Sequence, residues 1–305
     1  MYKSAFIAIF CLACLTTQAV SSEIYFIDAH SQVDEEIDRA ELIQRMDAAG
    51  VRKTILSSRR KRSAVDVADW AEQNPDRLIP SVRVKSKHYK KNTRKFYKKL
   101  AKQLKSGRFG AISEVLMYHA QKGSHAGEVI VYPDDVRVAA VLEAASANNW
   151  PLVMHIEFSA IAGEMRRNFY TQMENLLLAH PAQAFCLIHM GQLDAEQVTT
   201  LIDKYKNIYF LTAHSNPVAV KRSSQPWVNM FQGNTLAPAW TSLLIKHPDR
   251  FIFAVDNVWA EHWRNAYTGQ LAIWRQALQA LPDRVAHAVA HGNAERLWNI
   301  SAPAQ

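Results

Sequence analysis

Six side chains of metal-binding type, His30, Gln32, Glu114, His155, His189 and Asp256, stand at the ends of short apolar runs distributed along the whole chain. The first run closes on Asp28-Ala29-His30-Ser31-Gln32, where alternate residues share one face of a strand. The fourth run carries Glu114, the fifth His155 followed by Glu157, the sixth His189, the seventh His214 and the eighth Asp256. A single histidine in such a place reads most simply as a hydrogen-bonded side chain at a strand terminus. Jointly, imidazoles and carboxylates arriving from separate strands make a ligand set for a borderline divalent cation, with zinc the commonest fit. One or two such ions, with a position left open to water, would activate that water for attack on a carbonyl. Asp256 is the natural general base for that water.

The elements that must position these groups are legible as runs of apolar or β-branched residues at 24–30, 53–58, 78–84, 109–116, 151–158, 184–191, 208–215 and 251–258. Helical patterns lie between them. Ile37, Ala40, Ile43 and Met46 lead to Gly50; Phe169, Met173, Leu176 and Leu177 lead to His180-Pro181; Leu271, Trp274, Leu278 and Leu281 lead to Pro282. Val198, Leu201, Ile202 and Tyr205 follow an Asp194 cap with Gln197 three residues on. Eight strand–helix alternations in 305 residues predict a parallel sheet closed into a (β/α)₈ TIM barrel, one domain over 20–305. No glycine fingerprint follows the first strand, which argues against a dinucleotide-binding fold.

The chain resembles the amidohydrolase superfamily, and within it the amidohydrolase-related (amidohydrolase 2) group, over nearly all of residues 20–305. The resemblance rests on Asp28-Ala29-His30-Ser31-Gln32, Met154-His155, Ile188-His189-Met190-Gly191 and Val255-Asp256-Asn257, and on the closing Gly292-Asn293-Ala294-Glu295-Arg296-Leu297. It implies a metal-dependent hydrolase, with the same proton-carrying role for Asp256. Two positions depart from the commonest pattern. Gln32 replaces the second histidine of the first strand, and Glu114 stands where binuclear members carry a bridging carboxylate or modified lysine. If Glu114 bridges, one ion takes His30, Gln32, Glu114 and Asp256, and a second takes Glu114, His155 and His189. In a one-ion site His189 is instead a free imidazole steering the water. The same group contains non-oxidative decarboxylases of unsaturated or aromatic acids, and Gln32 also fits a non-catalytic barrel that has lost metal affinity.

Substrate contacts belong to the loops after the strands. Arg83 is the candidate for a substrate carboxylate, with Asn257 and Trp259 beside Asp256, so a small carboxylated lactone, amide or ester is the expected substrate. The composition, about half apolar with no low-complexity tract, excludes disordered and fibrous classes. No nucleic-acid partner is expected. The formal charge of +8 is concentrated in Arg59–Arg62 and in a basic helix over 85–108, with Phe96, Leu100 and Leu104 as its buried stripe and an outer face suited to an acidic surface. Cys186 lies in an apolar run and reads as a buried, inert thiol.

Lys3, the apolar Ala5–Leu15 and Thr17-Gln18-Ala19 form a signal-peptide pattern over 1–19, which predicts an exported, periplasmic or secreted product. A lipid anchor on Cys14 is the weaker reading, because Cys11 occupies the place of a bulky aliphatic. Mass spectrometry of envelope protein should therefore find an unlipidated amino terminus at or near Val20, and an intact Met1 on functional cytoplasmic protein would contradict it.

Overall fold

The computed structural model describes residues 24–123 and 126–301; the leader pattern of residues 1–19 lies outside them. The described residues form a TIM barrel. Its staves are β1 (Phe26–Val33), β2 (Val51–Ser58), β3 (Leu78–Val82), then β4 (Ala111–Ile112) continued as β5 (Val115–His119), β7 (Leu152–Ile156), β8 (Phe185–Leu187), β9 (Ile208–Leu211) and β12 (Phe251–Ile252). Each is parallel to the next within β1-β2-β3-β4 and β5-β7-β8-β9-β12, while β6 (Val129–Ile130) pairs antiparallel with β5. Backbone bonds close the ring between the first and last staves. Ala29 N–H donates to Phe253 O at 3.0 Å, Gln32 N–H to Asn257 O at 2.7 Å and Asp256 N–H to His30 O at 2.8 Å. The buried Asp28 carboxylate strengthens this seam by accepting from the N–H of Val255 at 3.0 Å.

Two apolar layers follow from the alternation of side chains along the strands. Ile27, Ala29, Ile55, Val153, Cys186, Leu211, Ile252 and Ala254 fill the barrel interior, and Trp298 and Ile300 cover its amino-terminal end. Cys186 is fully buried there, and burial pushes its thiol far above the usual range, so it is inert. The other layer lies between the staves and the helices and contains Phe26, Leu42, Phe169, Leu201, Trp274 and Leu278.

Four helices lie close to where the spacing placed them, α1 (Arg39–Ala49), α6 (Gly163–Ala179), α7 (Ala195–Lys204) and α10 (Tyr267–Gln279), and α2 (Ala64–Gln73), α5 (Val136–Ala147) and α9 (Pro238–Lys246) occupy other stretches between the strands. Asp194 and Gln197 make the expected reciprocal cap of α7. Gly50 ends α1 at φ 67°, a conformation that costs a residue with a side chain more than it costs glycine.

Two expectations change. The buried face of α1 is Leu42, Met46 and Ala49, while Ala40 is exposed, because Asp38 caps the helix and Ile37 packs before it begins. The basic segment is two helices, α3 (Lys87–Lys90) and α4 (Arg94–Lys105), separated by Asn92 at φ 47°. Among the described residues no helix is long and apolar enough to cross a membrane.

Candidate metal centre

The site begins where the strands stop. Residues read as strand continue in irregular backbone beyond β8, β9 and β12, and His189 (φ 56°), His214 (φ 58°) and Asp256 (φ 54°) all take the left-handed conformation. That conformation costs roughly 1–2 kcal/mol for a residue with a side chain, and such strain gathers at functional positions. The fourth stave has a break of its own at Ser113-Glu114, between β4 and β5, and there Glu114 becomes fully buried.

His30, Glu114 and Asp256 meet at the mouth. His30 Nε2 is 3.4 Å from Glu114 Oε1 and 3.5 Å from Asp256 Oδ1, yet it is buried without a hydrogen-bond partner. Two ligand atoms about 2.1 Å from a common tetrahedral ion sit about 3.4 Å apart, so both spacings match the edges of a coordination polyhedron. His189 Nε2 is likewise 3.5 Å from Asp256 Oδ2. Its Nδ1 faces the Ala213 carbonyl at 3.2 Å, and a carbonyl can only accept, so Nδ1 carries the proton and Nε2 offers its lone pair. The donor set and the orphaned His30 nitrogen therefore fit a divalent cation held by His30, Glu114 and Asp256, with His189 within reach.

Gln32 and His155 join the cluster differently from the sequence expectation. Gln32 presents its amide nitrogen, which donates to Glu114 Oε1 at 3.2 Å and Asp256 Oδ1 at 2.8 Å, so as placed it ties the carboxylates together and turns no oxygen toward them. His155 sits between two carboxylates, with Nδ1 2.5 Å from Glu114 Oε2 and Nε2 2.9 Å from Glu157 Oε1. Both nitrogens then bear protons, and the ring has a lone pair for a metal only after losing one. Burial disfavours that imidazolium, but Glu114 and Glu157 outweigh it and raise the His155 pKa.

Electrostatics explain how so many acids remain buried together. Burial pushes the Glu114 carboxyl up, but the Lys85 ammonium, in direct ion-pair contact, and His155 hold it well below the usual range. Asp256 is pushed up by burial and by Glu114, and held low chiefly by His30, the first of the imidazoles beside it. Glu157, opposed by burial, is held low by His155 and by Lys122, whose Nζ is 2.8 Å away. His189 and His214 are driven the other way, first by burial; the His189 imidazole falls well below its ordinary value and that of His214 to about 4, so both are neutral. Trp227 covers the pair, with ring centroids 4.6 Å from His189 and 4.9 Å from His214.

The three substrate candidates fare unequally. Arg83 donates to the carbonyls of Arg60, Arg62 and Lys85, which commits its guanidinium to bracing loops. Trp259 stacks under Arg59, 3.7 Å from its ring centroid, and under Arg60 at 4.8 Å. Asn257 is buried with neither side-chain polar atom bonded.

Sequence reasoning passed over Lys85, Lys122, His119 and Arg59. Lys85 shares the inward parity of Ser81 and Arg83, which was the available signal; Lys122 and His119 come from the β5–β6 region, whose hairpin has no strong pattern. Arg59 is drawn toward Asp256, Asp34 and Glu114, although burial lowers its pKa.

Because Lys85 contacts the same Glu114 oxygen that borders His30, the ammonium competes with a bound cation. Lys85→Met should tighten zinc binding by on the order of tenfold in chelator-competition titrations of the full chain, about 1.4 kcal/mol. Unchanged or weaker binding would show that Lys85 and the cation do not share Glu114.

The amidohydrolase family model matches residues 61–300, a span that begins after β2 and so excludes His30 and Gln32. Among solved structures, the uncharacterized TIM-barrel protein Bb4693 of Bordetella bronchiseptica is 15% identical, with TM-score 0.60 and coverage of 85% of this chain and 82% of that one. 5-Carboxyvanillate decarboxylase LigW of Sphingomonas paucimobilis is 15% identical, with TM-score 0.53 and coverage of 91% and 100%. Dihydroorotase of Campylobacter jejuni is 13% identical, with TM-score 0.58 and coverage of 92% and 85%. No curated protein matches significantly. At these identities the structures speak for the fold alone, and the family match over most of the chain, together with the barrel, establishes that the protein belongs to the amidohydrolase family.

Proposed function

We propose that the protein is a metal-dependent hydrolase that adds water to a small carboxylated lactone, amide or ester. The observation that carries this reading is the unpartnered His30 Nε2, set at polyhedral-edge distances from Glu114 and Asp256. His30, Glu114 and Asp256 would hold the cation, zinc being the best chemical fit, with His189 as a further ligand or as the imidazole that steers water. A divalent cation there supplies Lewis acidity toward a carbonyl and lowers the pKa of water.

Proton movement falls to Asp256. Its Oδ2 faces His189 Nε2, the lone-pair nitrogen of a neutral imidazole, at 3.5 Å. Asp256 takes the proton of the attacking water and delivers it to the leaving group, which must leave protonated for an amide or alkoxide. Trp227 and the Trp259–Arg59 stack wall the entrance. Arg59 and Lys122 supply positive charge there, which favours a substrate bearing a carboxylate.

The test is a panel of lactones, amides and esters offered to the zinc-loaded protein, with products identified by mass. Hydrolysis appears as gain of water; loss of carbon dioxide instead would move the assignment to a decarboxylase on the same residues. On whichever substrate is hydrolysed, Asp256→Asn should cut turnover by roughly 10²- to 10⁴-fold while zinc content falls far less. Near-normal turnover in that variant would remove Asp256 from the role of proton carrier.

A further inference from the structure

The strongest feature outside the barrel mouth is the outer face of α3 and α4. Lys87, Lys90, Lys91, Arg94, Lys95, Lys98, Lys99, Lys102 and Lys105 are all exposed, and among the described residues none of the nine has an acidic partner within 4.0 Å. Nearby Arg108 shows the contrast, for it is paired with both Asp69 and Glu72. At 100° per residue the six cations of α4 fall within an arc of roughly 140°, opposite Phe96, Leu100 and Gln103. The result is one continuous basic stripe about 18 Å long.

This arrangement is unfavourable for the isolated helix. Arg94–Lys98, Lys95–Lys99 and Lys98–Lys102 are like-charge pairs four apart, and Arg94 and Lys95 place positive charge at the helix end where the backbone dipole is already positive. Thr93 provides no side-chain cap in compensation. Repulsion of this kind is relieved when an anionic surface covers the stripe.

We propose that α3 and α4 dock the protein on an anionic lipid surface. A planar sheet of headgroups matches a convex helix face studded with lysines, eight of the nine cations. Nucleic acid is the poorer match: the stripe has no groove, and its one flanking aromatic, Tyr97, is half-buried with its hydroxyl donated to Asn92 at 2.6 Å. The apolar Ala5–Leu15 run behind Lys3 is a membrane-directed segment in the same chain, which places such a surface within reach of the protein.

The experiment is co-sedimentation of the full chain with phosphatidylcholine vesicles, with and without phosphatidylglycerol, and a parallel titration with duplex DNA at equal phosphate concentration. Binding should require phosphatidylglycerol and disappear in high salt. The variant Lys95→Glu, Lys98→Glu, Lys102→Glu, Lys105→Glu should lower the vesicle partition coefficient roughly a hundredfold or more. Its melting temperature should not fall, its zinc content should stay unchanged, and the four Lys→Arg changes should preserve binding. Because the leader's apolar run could itself partition, equal binding to neutral vesicles, or binding unaffected by the charge reversal, overturns the proposal. So does preference for the DNA. Should the reversed variant fail to fold, the corresponding Lys→Gln variant carries the same requirement with a smaller loss.

Discussion

Two carboxylates from opposite sides of the barrel, Glu114 and Asp256, are buried at 0% and 3% exposure within reach of one imidazole, and the rest of the mouth is arranged to bear that charge. Unpaired, each would cost several kcal/mol. Lys85 and the His155 imidazolium meet Glu114 from two directions, and the Gln32 amide joins Glu114 to Asp256. The barrel supplies what an open sheet cannot: strands one, four and eight end at the same rim, so His30 and Asp256, more than two hundred positions apart, come within 3.5 Å of each other.

A second constraint sets where the side chains at the mouth point. A strand that simply continued would alternate its side chains in and out, and each of His189, His214 and Asp256 escapes that alternation through a left-handed backbone. The surrounding barrel must over-determine these conformations. It does so with bonds such as Asp256 N–H to His30 O, and with the Asp28 carboxylate that holds Val255 one residue before the turn. The strand-one aspartate therefore works through the seam and not through the cluster of His30, Glu114 and Asp256.

Most of the scaffold was legible because it follows from pattern. Apolar runs located all eight staves, alternation placed His30 and Gln32 on one face, and the Asp194–Gln197 pair announced a helix start that the structure contains. What escaped depends on contacts between distant segments. Nothing in the spacing of Pro151 to Glu157 says that His155 will be clasped by Glu114 on one nitrogen and Glu157 on the other. Parity puts Arg83 and Lys85 on the same face, and only the course of the loop after β2 reveals that the Arg83 guanidinium is consumed by its carbonyls. Left-handed histidines have no sequence signature at all, so the strands were read as running several residues too far.

If the orphaned His30 nitrogen and its two carboxylate neighbours enclose a cation, that ion can be seen directly. Crystals of the zinc-loaded protein, measured on both sides of the zinc absorption edge, address it directly. An anomalous peak should lie within bonding distance of His30 Nε2 and of oxygens of Glu114 and Asp256, with Lys85 displaced from its contact. A mouth without a peak, or a zinc ion that leaves His30 uncoordinated, would contradict it.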